Sequence, residues 1–186
     1  DWCILFGIWI AEGCMLRDWS VQISAHKQRV KDEITRISEN FGLKINKHKD
    51  QANDNVKNSW NITDKRFINY YKDKNVGAIN KKLPKWVWEL KMEHCRNLIH
   101  GMMLGDGHIM DNGTRRYDTS SERLANDFQR LCLHAGWSCN KLIKYEAGHC
   151  TTLKAPGREG QVIKSTKDAW RLTINEHQNN PLVNKN

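Results

Sequence analysis

The sequence predicts an α+β protein made of two copies of one αββαββα unit, with pseudo-twofold symmetry. Three observations lead there. First, Leu5-Phe6-Gly7-Ile8-Trp9-Ile10-Ala11-Glu12-Gly13 is echoed by Ile99-His100-Gly101-Met102-Met103-Leu104-Gly105-Asp106-Gly107. Both are apolar helical stretches with small residues four apart, closing on a carboxylate and then a glycine. Second, the offset of 94 residues persists downstream, from Val30 to Leu124, Ile34 to Phe128, Ile37 to Leu131 and Gly42 to Gly136. Third, the downstream segments alternate between helical and strand periodicity in the same order in both halves.

The elements follow in turn. Residues 4–12 read as a helix. Cys14 to Ala25 read as a hairpin with Arg17-Asp18 near its turn. Lys27 to Phe41 read as an amphipathic helix, with Val30, Ile34, Ile37 and Phe41 at helical spacing, stopped by Gly42. Leu43 to Lys49 alternate like a half-exposed strand. Asp50 to Asn58 are a polar turn region, Ser59 to Thr63 a strand, and Arg66 to Tyr71 a short helix. Lys81-Lys82-Leu83-Pro84 reads as the junction, dividing the chain into halves 1–84 and 85–186.

In the second half, Met92 to Asp106 form the second motif helix. His108 to Ser120 form a hairpin turning at Asp111-Asn112-Gly113. Ser121 to Ala135 repeat the amphipathic helix, and Trp137 to Glu146 with Ala169 to Ile174 repeat the last strand pair. Trp60-Asn61-Ile62-Thr63 matches Trp170-Arg171-Leu172-Thr173 at an offset grown to 110. The difference fits an enlarged loop from about His149 to Lys167, containing Pro156-Gly157.

At 186 residues the chain is long enough to bury a sizeable core. Its apolar content and eight tryptophans exclude a disordered chain, and the repeat period is too long for a solenoid. The net charge of +9, spread through both halves, favours a polyanionic partner. No signal peptide or membrane-length apolar run is present. None of the six cysteines forms a close C-x-x-C pair. An intracellular, reducing setting is the expectation. Zinc binding by Cys139, His149 and Cys150 is disfavoured, because their spacing matches no common structural site.

The repeated motif carries the chemistry. Glycine inside a helix costs about 1 kcal/mol relative to alanine, yet both helices accept it, at Gly7 and Gly101. Ala11 and Gly105 lie on the same faces four residues on. Two such faces let helix backbones approach closely, so the motif helices are expected to pack side by side at the boundary between the halves. Glu12 and Asp106 then end neighbouring helices. The macrodipole disfavours an anion there, and the two charges repel. A divalent cation relieves both effects. So few carboxylates, completed by water and phosphate, suit Mg²⁺. A lone acid of this kind is explained by a turn cap; two in register point to a shared role. Beside a basic surface, they suggest metal-assisted hydrolysis of phosphodiesters, with each unit acting on one strand of a pseudo-twofold duplex.

The strands supply a recognition surface. Gln22 and Ser24 face away from Val21 and Ile23. Lys44, Asn46 and His48 share one polar face, as do Asn61 and Thr63. Arg17 at the first hairpin, and Arg115, Arg116, Asn140, Lys144 and Arg171 in the second half, extend the set. Gln, Asn and Arg read base edges in the major groove, which β-ribbons can enter.

These residues resemble the LAGLIDADG homing endonucleases of the two-motif, single-chain type, over nearly the whole chain. The resemblance implies two antiparallel saddle-shaped sheets over the major groove of a long, asymmetric double-stranded DNA site. It implies a monomer with the motif helices at the interface. It also implies Mg²⁺-dependent cleavage of both strands across the minor groove, leaving 3′ overhangs. The family's metal-binding acids fall on Glu12 and Asp106. A basic residue before the second motif falls on Lys81, with Lys82 beside it, for polarising the cleavage water or the phosphate network. Ile10 and Leu104 depart from the family name's first Asp, and Glu12 replaces an Asp. No counterpart of Lys81 is evident near Asn179-Asn180-Pro181; Lys167 and Arg171 are the alternatives. The resemblance further suggests the endonuclease core of an intein, without a splicing nucleophile or a terminal His-Asn pair. Its rivals are a non-cleaving nucleic-acid binder of the same fold, either an RNA maturase or a DNA-binding regulator, and a purely structural domain.

Overall fold

A computed structural model of the chain describes residues 1–49, 58–74, 76–153 and 159–176. The turn region around 50–57, Pro156-Gly157 and Asn179-Asn180-Pro181 lie outside the described residues. The chain divides into two compact units, residues 1–77 with 97–107, and residues 78–96 with 108–186. The C-terminal part of the second motif helix thus belongs to the same unit as the first motif helix.

The first unit runs α1 (Trp2–Glu12), β1 (Gly13–Leu16), β2 (Ser20–Ser24), α2 (Gln28–Phe41), β3 (Ile45–Lys49), β4 (Asn58–Ile62) and α3 (Lys65–Lys72). Every residue of α1 from Leu5 to Ile10 is buried, as expected of a helix that is apolar all round. Its strands form an antiparallel sheet in the order β1-β2-β4-β3. Val21, Ile23, Trp60 and Ile62 are buried, together with Val30, Ile34 and Ile37 of α2. Tyr71 of α3 stacks on Phe6 at 6.0 Å and meets Trp9 in a tilted contact at 4.2 Å. Asp64 caps α3 by accepting from the Arg66 N–H at 2.8 Å. The Arg66 guanidinium and that N–H hold its carboxyl down at about 2. Phe41, expected on the buried face of α2, is 40% exposed. It is the last residue of the helix, before Gly42 turns the chain with φ 62°.

The second unit opens with 3-10 turns over Ala78–Asn80 and Lys85–Glu89. It continues through the start of α4 (Met92–Gly105), then β5 (Gly107–Ile109), β6 (Arg115–Thr119), α5 (Glu122–His134), β7 (Ser138–Tyr145), β8 (Cys150–Thr152), β9 (Val162–Lys164) and β10 (Ala169–Asn175). The order β5-β6-β10-β7 reproduces that of the first sheet. Tyr117 stacks on Phe128 of α5 at 4.5 Å, and both are fully buried with Leu124, Leu131 and Leu172. Gly136 ends its helix as Gly42 does, with φ 75°.

The segment read as an enlarged loop carries a separate hairpin, β8 paired with β9. All six of its residues are exposed. With no buried face it leaves no apolar alternation to read. Among the described residues, no helix is long and apolar enough to cross a membrane.

Candidate active site

Within the first unit, α1 and the C-terminal part of α4 meet backbone to backbone. A Cβ placed on Gly7 would lie 2.5 Å from the Leu98 carbonyl oxygen and 2.7 Å from the Met102 nitrogen. One placed on Gly101 would lie 2.1 Å from the Ile4 carbonyl oxygen. The approach continues to the helix ends. A Cβ on Gly105 would lie 2.5 Å from the Ala11 Cβ and 2.9 Å from the Glu12 Cγ. The Glu12 side chain therefore rests against the residue that precedes Asp106. The glycine pairs bring the C-terminal ends of α1 and α4 together, with Asp106 one residue beyond the contact at Gly105. Glu12 is half-buried and Asp106 exposed. The Asp106 N–H still donates to the Met102 carbonyl at 3.2 Å, so this acid belongs to the last turn of α4.

Two cations missed by the sequence reading hold that turn. The Lys27 Nζ donates to the Gly105 carbonyl. Arg29 donates from Nε to the Leu104 carbonyl at 3.1 Å, and from Nη2 to the carbonyls of Met103 at 3.4 Å and Gly107 at 2.9 Å. The last carbonyls of a helix have no partners inside it, and they carry the negative end of its dipole. Lys27 and Arg29 satisfy both conditions and place positive charge next to Asp106. A signal for them exists in the sequence. They sit at the start of α2, where the dipole disfavours cations, so a Lys-x-Arg there asks for a partner elsewhere.

The donor set fits a hard divalent cation held by few protein ligands. Among the described residues, no group of three or more His, Cys, Asp or Glu side chains is placed to hold a metal ion. Glu12 and Asp106 offer carboxylate oxygens alone, which leaves most of an octahedral shell to water and phosphate, as Mg²⁺ sites of phosphoryl-transfer enzymes do.

Lys81 belongs to the second unit. Its carbonyl accepts from the buried Ser121 hydroxyl at 2.7 Å, and that same oxygen caps α5 by accepting from the Leu124 N–H at 3.1 Å. The Leu83 N–H donates to Asp127 at 2.8 Å. Ser121, the N-cap of α5, and Asp127 within it thus pin the backbone around Lys81. Lys82 is exposed.

The strand residues divide by face. In the first sheet, Cys14, Gln22, Asn61 and Asn46 form one cross-strand row, and Ser24 and Ser59 the next. Paired residues share a face, and this one lies opposite Val21, Ile23, Trp60 and Ile62. Asn46 and Lys44 are exposed, Gln22 and Ser24 half-buried. Arg17 is exposed in the β1–β2 turn, with φ 54°. Asn61, in the central strand, is only 3% exposed, and its Oδ1 has no hydrogen-bond partner among the described residues.

In the second sheet, Arg116, Thr173 and Asn140 form one row, and Asp118, Arg171 and Leu142 the next. These lie opposite Tyr117 and Leu172, which pack towards α5. Lys144 joins them by donating to Asp118 at 2.7 Å. Arg115 does not share this face. Successive strand residues point to opposite sides, and Arg115 pairs with Ile174, lies 5.7 Å from the Trp137 ring and bridges to Glu176. Burial holds its guanidinium below the usual arginine range.

Burial alone would raise the Asp118 carboxyl. The hydrogen bonds and charges of Arg171 and Lys144 outweigh burial and hold it below the ordinary carboxylate value. A lowered folded-state value makes this cluster stabilising above about pH 4, the unfolded value. The contribution is lost as pH falls through the folded value. Urea unfolding from pH 6 to pH 2 should show a flatter acid limb for Asp118→Asn than for the wild type; coincident slopes would show that the cluster adds nothing to stability.

No protein-family model matches the chain. Curated relatives include an ATP-dependent Clp protease proteolytic subunit of Chlamydomonas moewusii, 31% identical across 94% of this chain and 18% of that protein. A DNA-directed RNA polymerase subunit beta C-terminal section of Stigeoclonium helveticum is 28% identical across 98% and 20%. An iron-sulfur cluster assembly SufBD family protein of Mycobacterium leprae is 26% identical across 91% and 19%. The chain therefore spans about a fifth of the length of the curated relatives it matches. Among solved structures, the homing endonuclease I-DmoI in complex with DNA and Ca is similar, with a TM-score of 0.59 and 12% identity over 92% of this chain and 81% of that one. So is the N-terminal LAGLIDADG domain of DUF199/WhiA, with a TM-score of 0.52 and 7% identity over 93% and 73%. The chain has the LAGLIDADG fold. At these identities the likeness concerns the LAGLIDADG architecture: mixed α+β, with two four-stranded sheets of matching strand order and a motif helix at the start of each repeat.

Proposed function

We propose that the chain is a site-specific, divalent-metal-dependent endonuclease that hydrolyses both strands of duplex DNA. The observation that supports this reading is the close approach of α1 to the end of α4, where the Glu12 side chain lies against Gly105, the residue before Asp106. Binding alone needs no paired carboxylates at helix C-termini, where they are disfavoured. The I-DmoI complexes with DNA and Ca or Mn support a nucleic-acid partner and a divalent ion for this fold.

Glu12 and Asp106 hold Mg²⁺, and Lys27 and Arg29 fix the turn that carries Asp106. The ion, when bound, supplies an activated water and charge stabilisation at the scissile phosphate. Lys81 positions phosphate or the attacking water. Arg17, Gln22, Ser24, Lys44, Asn46 and His48 of the first half, with Arg116, Asn140, Lys144 and Arg171 of the second, contact the bases and backbone; Asn61, buried in the central strand, drops out of that set. Halves 1–84 and 85–186 act as a monomer on a long asymmetric site inside the cell.

The three curated relatives support a mobile origin. A protease subunit, a polymerase subunit and an iron-sulfur assembly protein share nothing in their names, yet each contains a segment matching nearly all of this chain. An inserted element such as an intein, of which this chain is the endonuclease core, explains one segment in three unrelated hosts.

The test is a randomised duplex library incubated with the chain and Mg²⁺ or EDTA. Cleavage of a narrow set of sequences, with Mg²⁺ only, is the expected result. Tight, metal-independent binding without cleavage would instead favour a maturase or regulator, and weak salt-insensitive affinity a structural domain.

A further inference from the structure

The polar face of the second sheet holds one carboxylate among its cations. Asp118 of β6 accepts from Arg171 at both Nε and Nη2, each at 2.9 Å, and from the Lys144 Nζ at 2.7 Å. All three side chains are about one-quarter exposed, at 28%, 27% and 25%. They lie on the face opposite Tyr117 and Leu172, away from α5.

We propose that Asp118 is a specificity-determining positioning residue that aims Arg171 at a guanine. The proposal rests on the DNA-binding reading above. A guanidinium has five N–H donors. Asp118 occupies one on Nε and one on Nη2, along a single edge. The Nη1–Nη2 fork is left with matched donors, and a fork of that kind pairs with guanine O6 and N7 in the major groove. The carboxylate removes the rotational freedom that a long side chain otherwise loses on binding. Lys144 donates to the same Oδ2 from β7, which lies beyond β10 in the sheet, and so fixes Asp118 across the strand that carries Arg171.

The charge balance supports positioning over simple attraction. A surface built only to hold phosphate is weakened by an acid at its centre, because each neutralised cation releases one counterion fewer from the DNA. Asp118 sits between two cations despite that cost. An Arg held by a carboxylate loses some phosphate attraction and gains direction.

The measurement compares wild type, Asp118→Asn and Arg171→Lys. A duplex selected by wild-type binding from a randomised library is titrated beside a scrambled duplex, at one salt concentration. Asp118→Asn should lower the ratio of selected to scrambled affinity by about tenfold. The loss should concentrate on one or two adjacent base pairs that include a guanine, while scrambled affinity rises with the lost negative charge. Arg171→Lys cannot form the fork and should reproduce the loss of preference at the same base pairs. The double variant should lose little more than either single one. If both affinities rise together in Asp118→Asn and the ratio holds, Asp118 only tunes charge and the proposal fails. A wild-type chain that selects no duplex at all overturns the DNA-binding reading and this inference with it, an outcome distinct from a selective wild type whose Asp118→Asn variant is equally selective.

Discussion

Gly101→Ala should be among the most destabilising single-methyl changes in the chain. Its Cβ would fall 2.1 Å from the Ile4 carbonyl oxygen and 2.9 Å from the Ile4 Cα, all backbone of the facing helix. No side chain can swing aside, so α1 and α4 must separate along their length. Both are packed with buried residues, including Leu5, Phe6, Ile8, Leu98, Ile99 and Met102. Overpacking of this kind costs about 3 kcal/mol, or a fall of about 6–12 °C in thermal midpoint for a chain of this size. Gly7→Ala should do nearly the same, against the Leu98 oxygen and Met102 nitrogen. Gly113→Ala is the control. It meets no atom within 4 Å, and its φ of 80° gives only backbone strain, about 1 kcal/mol. Thermal melts of the three variants check the order; equal losses at all three would mean the helices do not touch as described.

Glu12→Gln and Asp106→Asn should each reduce metal-dependent cleavage by about a hundredfold or more, since a lost carboxylate removes several kcal/mol of metal-assisted stabilisation. Neither should lower the thermal midpoint appreciably. Both acids end helices, where removing a negative charge is neutral or stabilising by about 0.3–1 kcal/mol. That pairing of lost chemistry with retained folding separates a functional acid from a structural one. Cleavage of the selected duplex and a thermal melt, run on the same preparations, check it. A variant that melts early and cleaves poorly would point to a packing role instead.

The duplication was legible because each repeat writes its helix with the same two devices. Small residues four apart mark the close face, and a carboxylate–glycine pair marks the end. The amphipathic helices were legible from Val30, Ile34 and Ile37, echoed by Leu124, Phe128 and Leu131, all buried. What stayed hidden depended on contacts distant in sequence. Lys27 and Arg29 read as an ordinary helix start, because their partners lie more than 70 residues away. Asp118 has no evident role in a strand of arginines until β10, with β7 beyond it, brings Arg171 and Lys144 to it. Arg115 and Arg116 are adjacent in sequence yet lie on opposite faces. A list of basic residues hides that division; the strand register reveals it. The β8–β9 hairpin escaped notice because neither face is buried.

Mn²⁺ titration of the chain with its selected duplex, followed by the loss of free-ion EPR signal, probes the paired acids most directly. Joint ligation gives bound Mn²⁺ in the wild type, a sharp fall in affinity in both Glu12→Gln and Asp106→Asn, and little further fall in the double variant. Independent, additive losses, or wild-type affinity retained in either single variant, would show that the two helix ends do not grip a common ion.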